Sequence, residues 1–217
     1  MKKPLTHEGL YYLLQTHQGN VGHWPAESPW EIMLGAFLVQ NTTWHNTEIS
    51  LAKLGQATDF DPLIISQLTA DELLPLIYSS GFHKSKTHLI MTWFQWLKSY
   101  DFDRAQIVSD FPSTEALRQQ LLSFRGIGNE TADVLLLYVF DQSAFIADNY
   151  ARKLFTGLGS PAAKHYMTLK EHVEQTTSLS LLEWKDFHGQ ILEYGKNNLV
   201  GKGPHATHLF STYYLDS

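Results

Sequence analysis

Apolar residues recur at helical spacing along most of this chain. Gly9 to Gln18 reads as a short amphipathic segment. Trp30 to Gln40, WEIMLGAFLVQ, is apolar on every side, which is the pattern of a central, buried helix. Thr43 to Lys53 resumes after a polar break. Thr69 stands three before Glu72 in TADELLPLI, a capping-box spacing that starts a further helix. Lys84 to Tyr100 follows the turn SSGF, and Ser113 or Thr114 caps TEALRQQLLSF. Asn129 to Phe140, Tyr150 to Thr156, Thr168 to Ser178 and Leu181 to Leu199 complete the set. Phe145 to Ala147 is the one stretch that looks extended, and it is too short to found a sheet. The pattern predicts an all-α protein with no internal repeat or long linker.

At 217 residues, with 43% hydrophobic and 13% aromatic content, the chain can bury a substantial core. It has no cysteine, so disulfides and cysteine-ligated zinc or iron–sulfur sites are excluded. The basic start, MKKPL, is followed by no signal-peptide pattern and no spanning segment. The expectation is an intracellular protein, cytoplasmic or nucleoid-associated, with no membrane partner. A net charge of −6 argues mildly against nucleic acid. From Tyr78 to Tyr100, however, there are three lysines, two histidines and no acid. Such a local strip can neutralise phosphates that the global charge would repel.

The most specific stretch is STEALRQQLLSFRGIGNETADVLLLYVF, a helix, a tight turn and a second helix. Gly126 and Gly128 permit positive φ, and their missing side chains allow close approach of another backbone. The amides around Ile127, Gly128 and Asn129 would then face an anion at the next helix N-terminus, where the dipole favours negative charge. A DNA phosphate suits that geometry, with a monovalent cation as a candidate bridge at the backbone of Gly126 and Gly128.

This stretch resembles the helix–hairpin–helix of the DNA glycosylase superfamily that includes endonuclease III. It is most similar to the 3-methyladenine DNA glycosylase branch lacking the iron–sulfur cluster. The matching positions are Gly126-Ile127-Gly128, Thr131-Ala132, the apolar helix Val134 to Phe140, and Phe145-Ile146-Ala147-Asp148. WEIMLGAFLVQNTTW resembles the early helix ending in a Gln beside the DNA. SGFHKSK resembles the turn pressed into the duplex, and FHGQILEYGK the late helix containing His-Gly. The similarity spans roughly residues 20 to 200.

The resemblance implies two helical lobes around a DNA-binding cleft. One covers residues 28–137 with most of the hairpin motif, the other residues 1–27 plus 138–217. It places Asp148 as the catalytic carboxylate, facing the sugar of the strand whose phosphate the hairpin holds. Bifunctional members carry a lysine where this chain has Glu130, and a carboxylate cannot form their Schiff base. The implied enzyme is therefore monofunctional, hydrolysing the N-glycosidic bond of alkylated purines such as 3-methyladenine, with Lys153 and Lys196 the alternative amines for lyase action. Its expected partner is double-stranded DNA with a damaged base, bound by a monomer, with no cofactor and no catalytic metal.

Aromatic residues suggest how such a base would be held. Trp24, Pro25 and Trp44 flank the segments that the resemblance puts at the pocket, and electron-rich rings stack on a cationic purine. Glu130 and Lys196 are candidates to approach one another at the pocket wall. Phe82 would wedge between bases, Gln40 would fill the gap left by the flipped nucleotide, and Lys84 and Lys86 would touch phosphates. Asn129 and Thr131 belong to the hairpin grip. His83 with His88, and His205 with His208, lack an acid or cysteine at ligand spacing. Rival readings are a glycosylase for another lesion, such as mispaired adenine or a deaminated base, and a catalytically silent DNA-binding module.

Overall fold

The computed structural model describes residues 2–21, 26, 28–199 and 208–215. Its helices are α1 (His7–Gln18), α2 (Pro29–Leu38), α3 (Trp44–Thr58), α4 (Pro62–Gln67), α5 (Ala70–Ile77), α6 (His83–Lys98) and α7 (Arg104–Asp110). They continue with α8 (Thr114–Leu122), α9 (Asn129–Tyr138), α10 (Asn149–Gly157), α11 (Tyr166–Gln175), α12 (Leu181–Asn198) and α13 (His208–Thr212). Short strands β1 (Lys3–Leu5) and β2 (Tyr213–Leu215) pair in parallel, with Lys3 opposite Tyr213. The fold is all-α. Two compact units are built from it: a middle unit of residues 26–142, and a terminal unit of residues 1–25 and 143–217.

Local chemistry starts the helices where the side chains allow. The Thr69–Glu72 capping box is present at α5, and Ser113 caps α8. A second box, Ser180 with Glu183, opens α12. Helices α4 and α7 are absent from the sequence expectation, although both carry a legible start. Asp61 precedes Pro62, and Asp103 accepts from the amides of Ala105 and Gln106. Both helices are under eight residues, too short for periodicity to reveal.

In the middle unit, α2 is buried from Met33 to Leu38, as its all-round apolar sequence predicts. Trp93 of α6 lies fully buried among Phe37, Phe124 and Phe140, at ring separations of 5.5, 5.0 and 6.4 Å. Its indole N–H donates to Met33 Sδ at 3.3 Å. Truncating such a side chain to alanine costs about 3–5 kcal/mol. In the terminal unit, α1 packs on α12, and Phe145, Phe155 and Phe187 form one aromatic cluster. Phe145 to Ala147 is buried but forms no strand. Its Phe145 amide donates to the Glu174 carboxylate at 2.8 Å instead of to a neighbouring backbone. The β1–β2 pair joins residues over 200 positions apart, beyond the reach of a local pattern.

Candidate functional site

The hairpin lies in the middle unit between α8 and α9. Gly126 has φ +106, in the region glycine favours, and a Cβ there would meet Leu89 Cδ2 at 3.3 Å. Gly128 differs from the sequence expectation. Its backbone is extended, with φ −97 and ψ 179, which any residue can adopt. A Cβ on Gly128 would meet nothing within 4 Å. Neither conformation nor internal packing asks for glycine at 128. Ile127 is buried, so its side chain plugs the hairpin into the unit while the flanking glycines stay exposed. Among the described residues no side chain caps the N-terminus of α9, an end whose free amides favour an anion.

The hairpin is braced from behind. Arg118 on α8 donates through Nε to Asp133 Oδ1 at 2.8 Å, and through Nη2 to Asp133 Oδ2 at 3.2 Å. The same Nη2 reaches Asn129 Oδ1 at 2.9 Å. Both members of the ion pair are buried. Composition alone could not reveal this clamp, although Arg118 and Asp133 sit on adjoining helices. Arg125, exposed directly before Gly126, is a cation beside the hairpin that the sequence motifs do not single out.

Gln40 comes to the same place. Its Nε2 donates to Gly126 O at 3.1 Å and to Thr131 Oγ1 at 3.0 Å. Thr131 is buried and its hydroxyl is taken up by Gln40. Phe82 caps the start of α6 with φ +46 and is 67% exposed, an unusual combination for a large apolar residue. Tyr78 stacks on His83 next to it at 4.7 Å. Lys84 is exposed.

Lys86 corrects the sequence expectation. It is buried, and its Nζ donates to Leu38 O at 2.8 Å and to Ser80 O at 2.7 Å. Burial pulls its pKa from 10.5 down to about 8. An ammonium held this way serves the protein interior and not a phosphate. The alternation that makes Lys84 exposed and Lys86 buried follows from helical geometry, since positions two apart face different sides of α6. Trp44, the first residue of α3, is 37% exposed. Glu130 is exposed in the first turn of α9. Trp24 and Pro25 lie outside the described residues.

The terminal unit presents a different chemistry. Asp148 caps α10, with Oδ1 accepting from the Ala151 amide at 2.7 Å. Its other oxygen lies 4.0 Å from His188 Nε2 on α12, and both residues are buried. Burial, with the positive charge of Lys196 as a secondary cause, pulls His188 from 6.5 down to about 4. At neutral pH the imidazole is therefore uncharged. The His-Gly pair of α12 is visible in the sequence, but the neighbour of His188 is not.

Gly195 of α12 lets Tyr150 pack against the helix backbone, since a Cβ there would fall 2.3 Å from Tyr150 Cδ1. Tyr150 stands two residues after Asp148, so this contact sets how closely α12 approaches the start of α10. Lys196, one residue on, is exposed. Lys153 lies 5.9 Å from the Tyr150 ring centroid. Among the described residues, no group of three or more His, Cys, Asp and Glu could hold a metal ion. No helix there is long and apolar enough to cross a membrane.

No protein-family model matches the chain. It is 31% identical over 188 residues to MJ1434 of Methanocaldococcus jannaschii, provisionally named a DNA repair glycosylase, covering 86% of each chain. The chain belongs to the endonuclease III-like family of helix–hairpin–helix DNA glycosylases. Endonuclease III of Sulfolobus acidocaldarius is 25% identical over 191 residues, 85% of this chain and 82% of that protein. Among solved structures, Helicobacter pylori 3-methyladenine DNA glycosylase MagIII, bound to 1,N6-ethenoadenine, has a TM-score of 0.70. It is 24% identical, covering 89% of this chain and 98% of its own. A non-covalent endonuclease III–DNA complex has a TM-score of 0.74 at 17% identity, covering 96% of this chain and 95% of the other. These last two are likenesses of fold. As a member of the family, the protein is a DNA repair glycosylase that binds DNA. Without cysteine, it lacks the ligands for a cysteine-held iron–sulfur cluster.

Proposed function

We propose that this glycosylase is monofunctional and removes alkylated purines, 3-methyladenine first among them. The observation that carries the reading is Glu130. A carboxylate in the exposed first turn of α9 stands where the resemblance puts the lysine of bifunctional members. A carboxylate cannot form the imine that lyase chemistry needs, so water is the nucleophile. The likeness to MagIII, named a 3-methyladenine enzyme, supports the substrate class.

The chemistry asks little of the protein. In a 3-alkylated adenine the base is already cationic. The N-glycosidic bond breaks with its electron pair moving to the base, which leaves neutral, and C1′ takes up the positive charge. Asp148, anionic beside a neutral His188, supplies the opposing charge. Water oxygen then bonds to C1′ and releases its proton to solvent. No strong general acid is required. Trp44 offers an exposed ring for stacking on such a cation. Gly128, open on the side where a Cβ would stand, admits a phosphate to the α9 N-terminus. Gln40 and Phe82 act on the duplex as the target nucleotide leaves it, and Lys84 and Arg125 contribute charge.

Chromatography of bases released from methylated duplex DNA tests this reading. Wild-type protein should release 3-methyladenine and form no borohydride-trapped complex with abasic DNA. A trapped complex would refute monofunctional action. Release of another damaged base, with none of the methylated ones, would refute the substrate class.

A further inference from the structure

Lys86 is the residue that the proposed chemistry leaves unused, and its surroundings are unusual. A long cationic side chain is buried in the middle unit with its ammonium between two main-chain carbonyls, at 2.8 and 2.7 Å. One carbonyl belongs to Leu38, the last residue of α2. The final carbonyls of a helix have no partner within it and carry the negative end of the dipole, so a cation there is favoured. The other belongs to Ser80, directly before two consecutive residues of positive φ, Gly81 at +68 and Phe82 at +46. Burial lowers the lysine pKa to about 8. A methionine, one atom shorter, would fill most of the space without that desolvation, but it could not bond either carbonyl.

Each of the two carbonyls lies just ahead of a residue proposed to meet the duplex. Two residues after Leu38 is Gln40, whose amide is bonded to Gly126 O and Thr131 Oγ1 of the hairpin. Two residues after Ser80 is Phe82, 67% exposed. One ammonium therefore ties the turn that carries Gln40 to the turn that carries Phe82, and Gln40 in turn is tied to the hairpin. Leu89, one turn further along α6 than Lys86, packs under Gly126.

We infer that Lys86 is a positioning residue whose buried ammonium holds the Gln40 and Phe82 turns as one rigid element for opening the base pair. The inference rests on the proposed reading that Gln40 and Phe82 act on the duplex. A displacement of about 1 Å in such an element is enough to cost on the order of 100-fold in rate.

The test compares Lys86→Met, Lys86→Arg, Lys84→Ala and Phe82→Ala, each checked for folding by its thermal midpoint. The first readout is the salt dependence of binding to undamaged duplex. Lys86→Met should keep the wild-type slope, whereas Lys84→Ala should lower it by about 1. The second is single-turnover release of 3-methyladenine from a paired site against an unpaired site in a bubble. Lys86→Met should lose ~10- to 100-fold at the paired site and less than about threefold at the unpaired one. Lys86→Arg, which keeps cation and donors, should recover most of the paired rate. A slope lowered as in Lys84→Ala would make Lys86 a phosphate contact and overturn the inference. Equal losses at both sites would also overturn it, as would a fully active Lys86→Met. Should Phe82→Ala show no paired-site loss while Lys86→Met does, the role given to Phe82 fails and the anchoring by Lys86 stands.

Discussion

The middle and terminal units both bury titratable side chains, but those nearest the two proposed working surfaces differ in kind. In the middle unit the buried groups are spent on geometry. Arg118 and Asp133 form a bidentate pair behind the hairpin, and Lys86 spans two carbonyls. In the terminal unit two buried histidines, His7 and His188, are held neutral by burial, each pulled to about 4. One of them stands beside Asp148. Charge in the first region fixes the turns proposed to meet DNA. In the second, an imidazole held neutral stands beside a buried carboxylate. A grip needs fixed positions, whereas stabilising a developing cation needs a fixed anion.

Removing one half of the buried ion pair is the severest way to break this contrast. Arg118→Met leaves Asp133 buried without its guanidinium, and the middle unit should lose about 3–5 kcal/mol in denaturant unfolding. Asp148→Asn should cut 3-methyladenine release by ~10²–10³-fold, the size of a main electrostatic contribution. An asparagine oxygen can still accept from the Ala151 amide, so the thermal midpoint should stay near wild type. Unfolding of Asp148→Asn at much lower temperature would mean that the residue serves chiefly as the α10 cap.

The two units should also respond to pH in different windows, each gaining stability as pH rises. His7 and His188 bind protons less readily folded than unfolded. Their contribution to stability is present above pH 6.5 and is lost as pH falls toward 4. Lys86 imposes its desolvation cost while protonated, and that cost is relieved as pH rises from about 8 to 10.5. Hydrogen exchange resolved along the chain would show acid weakening in the terminal unit first. The variant His188→Gln should flatten that acid response, and an unchanged response would rule out His188 as its source.

The finest distinction lies between the two hairpin glycines. Gly126→Ala forces a side chain into positive φ and should cost ~1–2 kcal/mol of stability. Gly128→Ala should change stability by less than about 0.5 kcal/mol yet weaken duplex binding, because the new methyl would stand where the phosphate approaches. Equal DNA affinity for Gly128→Ala and wild type would remove that contact.

Most helices were legible because their signals are local. Thr69 with Glu72, Ser113 and the all-apolar WEIMLGAFLV each specify a start or a buried face within a few residues. The hairpin was legible for the same reason, whereas Asp148 was singled out by the family resemblance of its stretch. The short helices α4 and α7 escaped because periodicity needs length, although their Asp caps were in view.

By itself, then, the sequence determined an all-α protein with a glycine hairpin, an aspartate at a helix start, a carboxylate at 130 and no cysteine. Only the tertiary structure decided that Lys86 turns inward, that Gln40 is bonded to the hairpin, and that His188 stands by Asp148. It also decided that Gly128 is extended and that the two ends of the terminal unit pair as strands. Each of those outcomes depends on groups far apart in the chain. A local pattern states what a residue prefers, but burial and partners brought from a distance decide what it does.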